Sequence, residues 1–181
     1  ICPSCNEKAI NDLGVGTEGE LILINLTGKD VKTVLEIDAS VYPLMKAAGL
    51  YSSGVRYSYN LNRMIFNKVD SAHLYRKDGS LEEINDDQMY KVVAGMYAGQ
   101  MLGSVKDKSF GLLSVTPRDA SGNPIPANEL VNYVVKDAYG TPVKEWHAIS
   151  SYLLEMGGSM DTQYASTDGR KIVYSSLNPA D

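Results

Sequence analysis

A short apolar run that leads directly into a helix start is the feature that most restricts how this chain can fold. Residues 20–25 form a strand-sized apolar run, which predicts a buried strand. Thr27 can cap a helix, and Asp30, three residues further on, completes an approximate capping box. Apolar residues then follow at near-helical spacing up to Gly49: Val31, Val34, Leu35, Val41, Leu44 and Met45. A strand followed at once by an amphipathic helix over residues 27–49 is therefore predicted.

Alternating and apolar segments further along the chain predict the remaining strands. Residues 54–60 alternate cleanly, so that Val55, Tyr57 and Tyr59 share one side of a strand. Weaker patterns predict four further strands, at residues 67–75, 90–97, 112–115 and 171–175.

The second half of the chain changes in composition. Three prolines within residues 117–126 predict a surface loop, and we expect residues 116–142 to form a loop-rich insertion. Pro142 suits the first turn of a helix, which is predicted over residues 142–157. Strands and helices mix without strict βαβ alternation. The whole chain, residues 1–181, is therefore predicted to be a single α+β domain with a mixed β-sheet flanked by two helices.

Length and charge exclude several classes of function. The 181 residues suffice for one good core or two small ones. A net charge of −5 opposes binding to a nucleic-acid backbone or to an anionic membrane surface. No apolar run approaches the ~20 residues that span a bilayer. The start at Ile1 lacks a methionine, so we expect a processed or excised piece, incomplete at its N-terminus.

The two cysteines, Cys2 and Cys5, have the spacing of a redox or metal-binding motif. A redox pair needs a thiolate at a helix start after a strand, and no strand precedes these residues. A zinc site would need two further ligands, for which only His73 and His147 are available. A local disulfide or two idle thiols is the favoured interpretation.

Residues suited to catalysis are few. His73 and His147 lie far apart, and each is interpreted as a packed or surface side chain. Carboxylates between residues 82 and 87 lack EF-hand spacing and predict a solvated turn. Asp38 shares the apolar face of the first helix; it is either a ligand-facing carboxylate or, as we favour, one bonded to backbone. We therefore expect no catalytic residue in the chain.

Several segments, in order, resemble one family. Three segments are similar to the C-terminal domain of 5′-nucleotidases and related bifunctional metallophosphatases. They are LTGKDV at 26–31 with LE at 35–36, the strand GVRYSYN at 54–60 and the strand YKVVA at 90–94. The segment LGVG at 13–16 stands where that family has a glycine-containing “PFGG” segment. The resemblance covers residues 13–115.

The resemblance implies a function that needs a second domain. In this family an N-terminal domain holds two divalent metal ions and cleaves a phosphate ester with activated water, while the C-terminal domain grips the nucleoside. The metal-ligand motifs D-x-H and G-N-H-D/E are absent from this chain. We therefore expect a substrate-specificity domain that binds a nucleotide or nucleoside, holds no cofactor, works with its own N-terminal domain and is inactive alone.

The family stacks the base between two aromatic residues, and the resemblance places the second on Tyr97. Leu13 takes the place of the first, and we expect Met96 and Gln100 to lie beside Tyr97 in the site. The residues at 101–104 lack the acid that the family's “GGDG” loop supplies. These departures favour an alternative, a non-catalytic extracellular binding module that kept the fold and lost the pocket.

Relatives act outside the cytoplasm, so the resemblance implies an extracellular or cell-wall location. Because the expected start of the domain is absent, an exposed sheet edge and a homodimer of the isolated fragment are further expectations.

Overall fold

The structure is a computed structural model that describes residues 19–44, 49–102, 111, 113–157 and 169–177. Its elements, in chain order, are β1 (Leu21–Thr27), α1 (Gly28–Val41), β2 (Val55–Asn60), β3 (Val69–Tyr75), β4 (Leu81–Glu83), β5 (Met89–Gly95), α2 (Met96–Leu102), a 3₁₀ helix (Ala127–Tyr133), α3 (Glu145–Glu155) and β6 (Lys171–Tyr174). Strands and helices mix without regular alternation, which confirms the predicted α+β class.

The strands of the described residues form two sheets rather than one. β1 and β5 pair antiparallel, with Leu23 opposite Val93. The second sheet has the order β4-β3-β2-β6, and in it β2 and β6 run parallel while the other pairs are antiparallel. The prediction of a mixed sheet is confirmed for this four-stranded sheet.

The predicted strand-to-helix junction forms at β1 and α1. The Asp30 amide donates to the Thr27 hydroxyl at 3.1 Å, and the Thr27 amide donates to the Asp30 carboxylate at 3.2 Å, which completes the capping box. The helix ends at Val41 and not near Gly49, because Pro43 lacks the amide that a continuing helix needs.

Two hydrophobic clusters lie on either side of α1. The first contains β1, α2 and the 3₁₀ helix, with Ile22, Met96 and Leu130 among its buried residues. The second contains α1, β2 and β3, with Tyr57 and Tyr59 among its buried residues. Val31 of α1 packs against both clusters, so α1 connects the two halves of the core.

The prediction of a strand over residues 90–97 is wrong at its end. β5 stops at Gly95, and Met96 and Tyr97 begin α2. Two glycines, Gly95 and Gly99, disfavour a helix in this region of the sequence. Packing overrides that preference, because Met96 is buried in the first cluster and Gly99 lies against the Ile22 side chain.

The segment between α2 and α3 contributes to the core. The predicted strand at 112–115 is absent from the described residues 113–115, and residue 112 lies outside them. Instead Val115, Ile125 and Leu130 are buried in the first cluster. The predicted surface loop at 117–126 contains a turn that is closed by a β-bridge between Arg118 and Pro124.

The second predicted helix is shorter than expected. α3 begins at Glu145, after an extended Lys144, because Pro142 is held in a bridge with Lys136. No residue of α3 is buried, although its sequence is largely apolar.

Candidate functional site

Helix α2 holds three of the four residues that the sequence placed at a ligand site, Met96, Tyr97 and Gln100. Met96 and Gly99, three residues apart, face the core. A Cβ atom at Gly99 would overlap the Cδ1 atom of Ile22, so glycine lets the helix backbone lie directly on β1. Tyr97 and Gln100 therefore share an outward face, and both are exposed.

The structure describes three of the four predicted site residues and separates Met96 from the other two. The Tyr97 side chain is 72% exposed, so this tyrosine is not packed in the core. Gln100 lies one turn along the same face. Met96 is 1% exposed, so it packs α2 onto the core and does not lie at the surface. Leu13 lies outside the described residues.

The start of α3 lies against the junction of β5 and α2. The Glu145 amide donates to the Gly19 carbonyl at 2.7 Å, and the Met96 amide donates to the Glu20 carbonyl at 2.7 Å. The Glu145 side chain lies directly on Gly95, where a Cβ atom would overlap its Oε1 atom. Sequence reasoning missed Glu145, because an acidic residue in the first turn of a helix usually serves only the helix dipole.

A second concave region lies between α1 and β3. This groove of about 580 Å³ is lined mostly by charged and polar residues, among them Lys29, Lys32, Thr33 and His73, together with a few apolar ones. Several of its charges are already used: Lys32 pairs with Asp86 at 2.7 Å, and Glu36 accepts from the Lys68 and Val69 amides. Its lining contains no Tyr, Trp or Phe among the described residues, so it offers no stacking surface for a base.

Asp38 is the most buried carboxylate of the described residues, at 1% exposure. It accepts hydrogen bonds from the Leu50 amide at 2.6 Å and from the Tyr57 hydroxyl, and it pairs with the Lys171 ammonium at 2.5 Å. The favoured prediction of a backbone bond is confirmed, and the tyrosine and lysine partners are additional. Because Lys171 belongs to β6, this network joins the end of α1 to the last strand.

Two tyrosines beside Asp38 have unusual ionisation. Burial, together with the hydrogen bond to Asp38, raises the pKa of Tyr57 above its usual range. Burial and the nearby Asp38 carboxylate raise the pKa of Tyr59 to about 12. The Tyr59 hydroxyl is buried and has no hydrogen-bond partner among the described residues. Both rings remain neutral at physiological pH and act as packing residues.

Residues suited to metal chemistry do not converge. His73 lies in β3, whereas His147 lies in α3 beside Trp146. The carboxylates at 82–87 are exposed, but Glu82 and Glu83 lie in β4, so the predicted solvated turn is confirmed only for Asp86 and Asp87. Within the described ranges no group of three or more His, Cys, Asp or Glu side chains could hold a metal ion. These residues therefore do not fit a dimetal centre.

Two further features of the sequence concern redox chemistry and membranes. Cys2 and Cys5 lie outside the described residues. In the part of the chain that the structure describes, every helix is too short or too polar to cross a bilayer.

Comparison with known proteins identifies the family of the segment that runs from β1 to α2. The family described as “5′-nucleotidase, C-terminal domain” matches residues 15–104, which include β1 to α2. Over these residues the chain belongs to the 5′-nucleotidase C-terminal domain family. No curated protein matches the chain significantly.

Two solved structures align with most of this chain, and the first of them resembles it in fold. A 5′-nucleotidase precursor from Thermus thermophilus is 21% identical, with a TM-score of 0.51, over 85% of this chain and 25% of its own. The NAD nucleotidase NadN of Haemophilus influenzae is 20% identical, with a TM-score of 0.49, over 88% of this chain and 25% of its own. The chain thus spans about a quarter of the length of these proteins.

The family match covers the part of the candidate site on α2 but not the part on α3. Tyr97 and Gln100 fall within the matched residues, whereas Glu145 lies beyond them. The part of the site on α2 therefore belongs to the 5′-nucleotidase C-terminal domain, and the part on α3 is contributed by the segment that follows.

Proposed function

We propose that this domain is the substrate-specificity part of a secreted, metal-dependent nucleotide phosphohydrolase, of the 5′-nucleotidase or cyclic-nucleotide phosphodiesterase type. The observation that carries the proposal is the exposed Tyr97 on the outward face of α2, within residues that belong to the 5′-nucleotidase C-terminal domain family. The domain binds the nucleoside part of the substrate on this face.

The surroundings of Tyr97 suit a stacking role. The ring presents a flat apolar surface to solvent, and the helix beneath it is anchored by Met96 and Gly99. Stacking of a base on an aromatic side chain contributes about 1–3 kcal/mol. The Gln100 amide on the same face can both donate and accept hydrogen bonds at the edge of a stacked base.

Hydrolysis belongs to a different domain in this proposal. The described residues do not fit a dimetal centre, and the chain spans about a quarter of the similar chains. Two divalent metal ions, held by the chain's own N-terminal metallophosphatase domain, would activate the water that cleaves the phosphate ester. The contribution of the C-terminal domain is to hold the nucleoside so that its phosphate reaches those metals.

Calorimetric titration of the 181-residue chain with adenosine and with AMP tests the binding role. We expect Tyr97→Ala to weaken binding roughly ten-fold or more, because one stacking surface is lost. Tyr139→Ala is the matched control, since Tyr139 is also exposed but lies in a turn between the 3₁₀ helix and α3. Equal affinities for the wild type and both variants, or no binding at all, would contradict the proposal.

The enzymatic context and the location have their own tests. We expect the coding sequence upstream of this chain to contain D-x-H and G-N-H-D/E in frame. If both motifs are missing there, the alternative of a non-catalytic extracellular binding module, favoured by Leu13 and by the lack of an acid at 101–104, replaces the hydrolase. We expect the full-length protein in growth-medium or cell-wall fractions, and a wholly cytosolic pool would contradict a secreted enzyme.

A further inference from the structure

Gly95, the last residue of β5, leaves room for the side chain of Glu145, because it has no Cβ atom. Within β5, Val92 and Ala94 pack against the first hydrophobic cluster, so Val93 and the missing side chain of Gly95 face the other side of the sheet. On that side, a Cβ atom at residue 95 would overlap the Oε1 atom of Glu145. Any residue with a side chain at 95 would move this carboxylate away.

The helix dipole alone does not explain this position. Glu145 is the first residue of α3, where a negative charge is favourable wherever the side chain points. The carboxylate nevertheless lies on the backbone of a strand about 50 residues earlier in the chain. It is exposed, and no side chain or amide of the described residues donates a hydrogen bond or forms an ion pair with it. Its acceptor capacity is therefore available to a ligand.

Tyr97 follows Gly95 by two residues. Two peptide units span at most ~7 Å, so the Glu145 carboxylate lies on the order of 10 Å or less from the Cα atom of Tyr97. A nucleoside has comparable dimensions. The junction of β5 and α2 thus brings an exposed tyrosine and a carboxylate that has no partner among the described residues close together, at a separation that one nucleoside can span.

We propose that Glu145 accepts a hydrogen bond from a neutral N–H or O–H donor of the nucleoside that stacks on Tyr97. This inference rests on the proposed function and names a specificity residue for it. An ionised carboxylate only accepts hydrogen bonds and repels phosphate, so the donor end of the nucleoside lies at Glu145 and the phosphate points away from it. The donor is either an amino group of the base or the 2′- or 3′-hydroxyl of the ribose, because the 5′ oxygen carries the phosphate in a nucleotide.

Calorimetric titration of the 181-residue chain with adenosine tests the proposal. We expect Glu145→Gln to weaken binding about ten-fold, since a hydrogen bond to a charged acceptor becomes one to a neutral amide oxygen. Glu155→Gln, the same change at the exposed last residue of α3, should leave the affinity unchanged. Gly95→Ala should weaken binding by a similar factor, because its methyl group displaces the carboxylate, and should add nothing further to Glu145→Gln.

Two analogues identify the donor. Purine riboside lacks the amino group of the base, and 2′,3′-dideoxyadenosine lacks the 2′- and 3′-hydroxyls of the ribose. The analogue without the true donor should bind equally well to the wild type and to Glu145→Gln, whereas the other analogue should remain sensitive to the change. An equal loss with all three ligands would overturn the proposal, because the effect would then depend on neither donor.

The failure of this inference is distinguishable from failure of the proposed function. If Glu145→Gln binds adenosine as tightly as Glu155→Gln while Tyr97→Ala still weakens binding, Glu145 has no role and the nucleoside site remains. If wild-type chain does not bind adenosine or AMP, the proposed function itself is wrong.

Discussion

Replacing each of two neighbouring tyrosines by phenylalanine separates a hydroxyl that stabilises the fold from one that does not. Tyr57 and Tyr59 lie on the same face of β2, both rings are buried, and their centroids are 6.1 Å apart. The Tyr57 hydroxyl donates to Asp38, whereas the Tyr59 hydroxyl has no partner among the described residues. The two substitutions remove the same atom from nearly the same surroundings.

The two substitutions should change the free energy of unfolding differently. A hydrogen bond to a charged group contributes about 1.5–3 kcal/mol, so Tyr57→Phe should lower the free energy of unfolding by roughly that amount. Tyr59→Phe removes a buried hydroxyl whose desolvation is not offset by a bond. It should therefore leave the free energy of unfolding unchanged or raise it by up to about 2 kcal/mol.

Urea unfolding followed by circular dichroism and by the fluorescence of Trp146, the one tryptophan of the chain, measures both values. A second measurement at alkaline pH tests the same contacts. The pKa of Tyr59 is raised to about 12 from 10.0, so ionisation of this residue leaves the free energy of unfolding unchanged below pH 10 and lowers it as the pH rises from 10 through 12. Tyr59→Phe should reduce this alkaline loss. A Tyr59→Phe variant as unstable as Tyr57→Phe would refute the reasoning about Asp38.

Two further changes test other contacts. Lys171→Met removes the ammonium group that pairs with buried Asp38, and we expect a loss of about 3–5 kcal/mol in the free energy of unfolding by chemical denaturation; a loss below about 1 kcal/mol would show that the pair is not needed. Gly99→Ala forces a methyl group into Ile22, and we expect a loss of about 1–3 kcal/mol in the same assay; an unchanged midpoint would contradict the close packing of α2 on β1.

Local signals in the sequence predicted the elements whose structure is decided locally. The capping box of Thr27 and Asp30 involves residues three apart, and the alternation of Val55, Tyr57 and Tyr59 follows from the period of a strand. These predictions are confirmed because each structure depends only on residues close together in the sequence, which the pattern records. The division of the strands into two sheets was not predictable in this way, since strand pairing depends on contacts far apart in the sequence.

Long-range contacts also explain what was missed at the candidate site. Helix α2 contains glycine and forms because Met96 and Gly99 pack on β1, about 75 residues away in the sequence. The approach of Glu145 to Gly95 has no local pattern that would reveal it. The role of Tyr97 came from the family resemblance, and the structure adds that its ring is exposed. The role itself remains a prediction.

The most direct test of the account is to locate the nucleoside on the domain by two-dimensional NMR titration of the isotopically labelled 181-residue chain with adenosine. We predict that the shifted signals cluster at α2, on Tyr97 and Gln100, and at the start of α3, including the indole of Trp146. Shifts centred instead on the groove between α1 and β3, at Lys29 and His73, or the absence of any shift, would contradict it.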